Sequence, residues 1–351
     1  MFLHKLLLII IIILLFYIYT RLIYHNQYIQ VIHEPLTILK SSDSEFGDIE
    51  KNASDIYINN LQSIPKESAV LPLREYCIKS SYNSAVTGSY INAQMVNHLL
   101  KRGCRLFDFE IFFINEDNKF IPVVGYTHDN KYNIIESKNT VPLNEIFNLI
   151  MMNAFSEISP NRTDPVFINL RIKSNDTGIY SAIAKIIHST IKPKIYNGKV
   201  SGDTILNELF DKIIIMVDKT IDRNYVKNAE CDHTDLHCYD FNNYINMESG
   251  SENVNLFHFS SLIGQAYTPV LVKDDNVRTT VSNIRMAIPD KTPITSNPEM
   301  KDYIVKYNCQ IIAYMFYIID NELNEYEEFF NTSRSSFVPL SFALSYFTKK
   351  S

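Results

Sequence analysis

The chain has 351 residues, 33 Lys and Arg against 39 Asp and Glu, a formal net charge of −6, 5 Cys and no Trp, with 46% hydrophobic and 21% charged residues. So large an apolar fraction at modest charge excludes a disordered chain, and so few cysteines exclude a disulfide-built scaffold. The mild acidity and the absence of any Lys/Arg-rich run leave no electrostatic footprint for a nucleic-acid partner.

From Leu6 to Tyr19 the sequence LLLIIIIILLFYIY runs 14 residues without a charge, between Lys5 and Arg21. That length suits a signal-peptide core and falls short of the roughly 20 residues that span a bilayer. Taken as residues 1–24, with Lys5 and Arg21 snorkelling to the headgroups and Tyr17, Tyr19 and Tyr24 at the interface, the segment reaches spanning length. No small residues suited to cleavage follow Thr20, so the segment reads as an uncleaved single-pass anchor whose orientation the near-balanced flanking charge leaves open. Residues 25–68, which include SSDSEFGDIEKNASD, are polar and read as a tether.

Beyond Ala69, β-rich apolar runs alternate with segments of helical period, the pattern of a parallel sheet with crossover helices. Strands are expected at 75–79, 105–113, 120–126, 166–172, 212–217, 255–259 and 310–317, with helices at 93–101, 143–154, 178–191 and 204–210. Residues 69–351 suffice for one TIM-type (β/α)8 barrel, whose usual size is about 250 residues. In RLFDFEIFF, Asp108 and Glu110 alternate with apolar neighbours, so two carboxylates share one face of a strand, where they repel each other and call for a cation.

Cys231-Asp-His-Thr-Asp-Leu-His-Cys238 packs two Cys and two His into a polar insertion. A Cys231–Cys238 disulfide, free thiols and a zinc site are all compatible with it, the last least so because four ligands from one octapeptide seldom close a tetrahedron. Cys77, Cys104 and Cys309 sit at strand positions and read as small buried hydrophobes. The acidic run at 321–328 reads as a solvated helix or loop face.

Several segments together resemble the catalytic X domain of the phosphatidylinositol-specific phospholipase C family. The run Leu73-Arg-Glu-Tyr-Cys-Ile-Lys-Ser-Ser-Tyr-Asn-Ser is similar to its first strand, Gly103-Cys-Arg-Leu-Phe-Asp-Phe-Glu to its second, Ile121-Pro-Val-Val to its third and Pro165-Val-Phe-Ile-Asn-Leu-Arg to its fourth. Asn308-Cys-Gln-Ile-Ile-Ala-Tyr, with Phe337-Val-Pro-Leu following, resembles the closing strand. The resemblance implies a phosphodiesterase barrel over residues 70–345 that acts on membrane inositol lipids. It also implies one His that takes a proton from the inositol 2-hydroxyl, a second that protonates the departing diacylglycerol, and Ca²⁺ to offset phosphoryl charge.

Carried over residue by residue, the resemblance places Asn83, Asp108 and Glu110 among the Ca²⁺ ligands. Tyr82 stands at the first His position, Tyr126 at the second and Arg171 at that of the last metal-binding Glu. Tyr, with an ordinary pKa near 10, is a poor base at neutral pH, and Arg171 can fill the cation position itself, which disfavours Ca²⁺ and leaves no cofactor expected. The expectation is therefore a membrane-anchored pseudoenzyme whose barrel mouth, with Asn83, Asp108, Glu110 and Arg171, binds a phosphate or inositol headgroup or serves as a scaffold for protein partners. The alternative is an active phosphoric diester hydrolase in which Arg171 replaces the metal and His128 is the acid, with His98 or His258 entering from a loop as base.

Overall fold

The computed structural model describes residues 41–54, 60–132, 134–231, 238–265, 269–290 and 296–349. The expected anchor at 1–24 lies outside them, and among the described residues no helix is long and apolar enough to cross a membrane.

Eight strands form a parallel sheet that curls into a near-closed barrel. They are β1 (Tyr76–Ser81), β2 (Leu106–Glu116), β5 (Val166–Ile172), β6 (Ile213–Asp218), β7 (Met247–Ser249), β8 (Val254–His258), β9 (Ile284–Ile288) and β10 (Ile311–Tyr314). Their spatial order is β7-β6-β5-β2-β1-β10-β9-β8, each neighbour parallel, with the seam between β7 and β8. Three further strands lie off this path: β3 (Lys119–Gly125), β4 (Val141–Pro142) and β11 (Phe337–Pro339). The segment 120–126, expected as a barrel strand, is instead an antiparallel excursion. β3 folds back on the far half of β2, from Glu110↔Gly125 to Glu116↔Lys119, through a turn in which Asp117 and Asn118 both take positive φ.

Strand alternation divides the buried residues into two sets. Tyr76, Ile78, Leu106, Phe167, Ile214, Met216, Met286 and Ile311 fill the barrel interior. Cys77, Phe107, Phe109, Ile168, Leu170, Ile215 and Ile312 face outward, against helices α2 (Gln94–Lys101), α3 (Leu143–Asn153) and α4 (Gly178–Ser189). After two four-residue helices, Tyr225–Asn228 and Phe259–Leu262, come α5 (Met300–Val305), α6 (Asn321–Ser333) and α7 (Leu340–Lys349). The helix expected at 204–210 is only a 3₁₀ turn, Leu206–Leu209, because the backbone there is drawn to the first strand's approach: Ile205 bridges Pro72, and Leu206 N donates to Leu71 O at 3.2 Å.

The folded unit begins at Ser42 rather than Ala69. Inside the expected tether, α1 (Ser42–Ser54) buries Ile49 and Ala53. Its acidic first turn grips a loop of the barrel: Glu45 Oε2 accepts from Ser89 N at 2.9 Å and Thr87 Oγ1 at 3.1 Å, and Asp43 Oδ1 from Asn92 Nδ2 at 3.1 Å. The acidic run does form a helix, α6, yet Glu327 on it is buried and paired with Lys79 and Arg102, so only part of the run is solvated. Cys231 and Cys238 form a disulfide, while Cys77, Cys104 and Cys309 are buried free thiols.

Candidate active site at the barrel mouth

The register of β2 against β5 stacks interior side chains in layers: Leu106 beside Phe167, Asp108 beside Asn169, Glu110 beside Arg171. The column thus changes from apolar at the strands' N-terminal ends to charged at their C-terminal ends, where a barrel presents its functional groups. Lys173, two residues past Arg171, continues the same face, and β1 brings Tyr82 and Asn83 to the same level. Asn83 has φ 44°, a left-handed turn that Asn tolerates.

Arg171 spends all its donors inside this cluster. Nε donates to Asp108 Oδ1 at 3.0 Å, and Nη2 to Asp108 Oδ2 at 2.6 Å and Asn83 Oδ1 at 2.7 Å. Nη1 donates to Glu110 Oε1 at 2.7 Å and Tyr82 OH at 3.2 Å, and the guanidinium lies 4.4 Å from the Tyr82 ring centroid. Lys173 Nζ donates to Glu110 Oε2 at 2.6 Å and Thr127 O at 2.9 Å. Asn169 Nδ2 donates to Asp108 Oδ1 at 2.8 Å, and Ser249 Oγ holds Asn169 in turn at 2.9 Å. Two cations and two carboxylates therefore close a net-neutral buried network.

Burial alone would push the Glu110 carboxyl up, but Arg171 and Lys173 outweigh it and hold the group below its ordinary range. Burial likewise opposes charge on Arg171, and Asp108 and Glu110 reverse that, so the guanidinium stays protonated well beyond its usual range. Among the described residues no group of three or more His, Cys, Asp and Glu side chains is arranged to hold a metal ion. The Ca²⁺ that the resemblance implies does not fit, because the guanidinium already binds Asn83, Asp108 and Glu110.

Above the network lies a cavity of about 240 Å³. Of the residues singled out by sequence, Tyr82, Asn83, Glu110, Tyr126, His128, Arg171 and His258 line it, while Asp108 lies behind Arg171 and does not reach it. Burial raises the phenols of Tyr82 and Tyr126, the latter further by Glu136. His128 is exposed at the rim and its Nδ1 pairs with Glu136. His258 ends β8, and its Nδ1 meets Pro289 O at 2.9 Å; a carbonyl only accepts, so Nδ1 is the donor there, which in the neutral ring makes Nε2 the acceptor. His98 does not reach the mouth. It is buried on α2 against Phe46, with its pKa lowered to about 3 by burial and by Arg102.

Lys173, Tyr132, Asp218 and Tyr317 also line the wall and were not singled out by sequence. Lys173 was accessible to the parity argument that found Asp108 and Glu110, since Asn169, Arg171 and Lys173 alternate along one strand. Asp218 ends β6, and burial raises its carboxyl although Thr220 N and Oγ1 donate to it. Tyr132 stands on a loop, where no periodicity marks it, and Tyr317, the last residue of the strand expected at 310–317, lies beyond the observed end of β10 at Tyr314.

A parallel barrel with a charged network at its C-terminal end and a cavity above it is the arrangement on which barrel proteins build their sites, and its fold is that of the phospholipase C type. Residues 70–219 match the family model described as phosphatidylinositol-specific phospholipase C, X domain. Among solved structures the chain is similar to PLC21 of L. pealei, at 14% identity and TM-score 0.54 over 77% of this chain and 37% of that one. PLC21 of S. officinalis is similar at 14% identity and TM-score 0.53, over 79% and 38%. The chain thus spans under two fifths of the length of either. No curated protein matches it.

Proposed function

We propose that this chain is a catalytically silent phospholipase C-like barrel, held at a membrane by residues 1–24, that retains the inositol headgroup of a phospholipid at its mouth without cleaving it. The observation that carries this reading is the internal use of all five N–H donors of Arg171. With its charge balanced by Asp108 and Glu110, none remains to offset charge growing on phosphoryl oxygens. Tyr82 and Tyr126 stand where the family has its acid–base pair, and phenols raised by burial neither take up nor release a proton at neutral pH. A headgroup's ring hydroxyls suit the hydroxyls of Tyr126, Tyr132 and Tyr317 and the lone pair of His258 Nε2, all on the cavity wall.

The test is flotation of the full chain with phosphatidylcholine vesicles with and without phosphatidylinositol, with inositol phosphate release followed in the same samples. Phosphatidylinositol-dependent binding that weakens in Tyr317→Phe and His258→Ala, without release, supports the proposal. Binding indifferent to phosphatidylinositol would point instead to a scaffold that presents its surface to other proteins.

One observation favours a second reading, an active hydrolase. His128 and His258 line one cavity, each with Nδ1 engaged and Nε2 available. His258 Nε2 would take the proton of the inositol 2-hydroxyl as its oxygen bonds to phosphorus. The bond to the diacylglycerol oxygen would break as His128 protonates that oxygen. Release of a cyclic inositol phosphate, lost in His258→Ala, would establish it.

A further inference from the structure

The crossover from β8 to β9 contains, among its described residues, a single short helix, Phe259–Leu262. Among the described residues the crossover contributes no long helix to the outer flank of these strands, and a cavity of about 300 Å³ opens there. Arg285, the second residue of β9, points outward, since its neighbours Ile284 and Met286 pack in the barrel interior. Its guanidinium lies 4.6 Å from the Phe257 ring centroid, and its buried Nε has no hydrogen-bond partner. Among the described residues no carboxylate lines this cavity, whereas Asn255, Asn283, Thr280 and Ser282 do. Thr280 Oγ1 already accepts from Leu271 N at 3.0 Å, so its own proton is free to be donated.

A guanidinium with no ion-pair partner among the described residues, set against an aromatic ring and sharing a cavity with neutral amides and hydroxyls, is an arrangement that an oxyanion completes. Amide and hydroxyl donors beyond the guanidinium fork match a tetrahedral anion, whose oxygens outnumber the two of a carboxylate. We propose that this flank pocket binds a phosphate group, with Arg285 supplying the charge and the bidentate contact. The pocket lies on the outside of the barrel away from the mouth, so it stands or falls independently of the headgroup proposal.

The test titrates inorganic phosphate into the full chain in nonionic detergent, followed by calorimetry, with thermal melts to show that each variant is folded. Saturable binding is expected in the native chain, with sulfate competing. Arg285→Met keeps a side chain over Phe257 but removes the charge, and should weaken binding at least about tenfold; Arg285→Lys keeps the charge without the fork and should fall between. No saturable binding in the native chain, or the same affinity in Arg285→Met, overturns the proposal. Vesicles of phosphatidylcholine with and without a phosphatidylinositol phosphate separate the sources. Loss of phosphate-lipid-dependent flotation in Arg285→Met assigns the site to a lipid headgroup, and unchanged flotation beside lost phosphate binding assigns it to soluble phosphate.

Discussion

Replacing Arg171 by Met keeps much of the side chain's length while removing the guanidinium, so the perturbation is one of charge and hydrogen bonds. Asp108 is fully buried and would retain Asn169 and the Asn83 amide as donors but no paired cation. Glu110 would keep Lys173. Removing one partner of a buried ion pair costs about 3–5 kcal/mol, and the surviving Lys173 contact places the expected loss at the lower end, about 3 kcal/mol. For a domain of this size each kcal/mol moves the melting temperature by roughly 2 °C, so a fall of about 6 °C is expected at neutral pH. The pH dependence has a definite sign. Glu110 is held below its ordinary pKa in the native barrel, so its contribution is present above the unfolded carboxylate value and is lost as pH falls through the lower, folded one. The gap between native chain and variant should therefore narrow as the solution is acidified. A second readout separates this account from simple damage: once Asn83, Asp108 and Glu110 are released, Ca²⁺ should raise the variant's melting temperature and leave that of the native chain unchanged. Thermal melts followed by circular dichroism, with Ca²⁺ or a chelator, provide the measurement. A variant as stable as the native chain at every pH, or a native chain stabilised by Ca²⁺ as much as the variant, would refute the reasoning.

Three further outcomes are expected. Glu327→Gln removes the carboxylate that Lys79 Nζ reaches at 3.2 Å and Arg102 Nε at 2.8 Å, and should lower stability by about 3 kcal/mol in urea unfolding; unchanged stability would show that the pairing contributes nothing. Burial, partly offset by Arg105, raises the Asp164 carboxyl to about 7, so the stability linked to its proton is present below the unfolded carboxylate value and is lost as pH rises towards 7. Asp164→Asn should accordingly gain on the native chain as pH rises across that window, and parallel stability profiles would contradict this. The combined variant Tyr82→His, Tyr126→His and Arg171→Glu should gain Ca²⁺-dependent release of inositol phosphate; release that is the same with and without Ca²⁺ would argue against the assignment of the metal position.

The legible parts of the fold were those where burial and period agree. The run around Ile215 is apolar on both faces because barrel and helices bury both, those around Phe109 and Ile168 are apolar throughout on the helix-facing side, and each is a strand. β9 escaped because Arg285, turned outward into a flank left uncovered, interrupts its apolar run. α1 escaped because its sequence is polar. Only Ile49 and Ala53 are buried on it, and it is held by carboxylate contacts that no hydrophobic period records. The 120–126 segment has the composition of a barrel strand but pairs antiparallel with β2, and composition does not fix the direction of pairing. At the mouth, the proximity of Arg171 to Asp108 and Glu110 followed from strand parity together with the family resemblance. That the guanidinium spends every donor within the network depends on Asn83 and Tyr82 arriving from β1, which is a tertiary fact. Tyr132 sits on a loop and carries no signal of its own, and Tyr317 reaches the mouth only because β10 stops at Tyr314, short of the expected 317.

A mouth that holds a headgroup without cleaving it is checked by incubating the purified full chain with phosphatidylinositol vesicles and quantifying inositol phosphate over time, in the presence of Ca²⁺ and again of a chelator. Release indistinguishable from vesicles alone is expected under both conditions. Release that saturates with lipid and disappears in His258→Ala would contradict it and establish the barrel as a working phosphodiesterase.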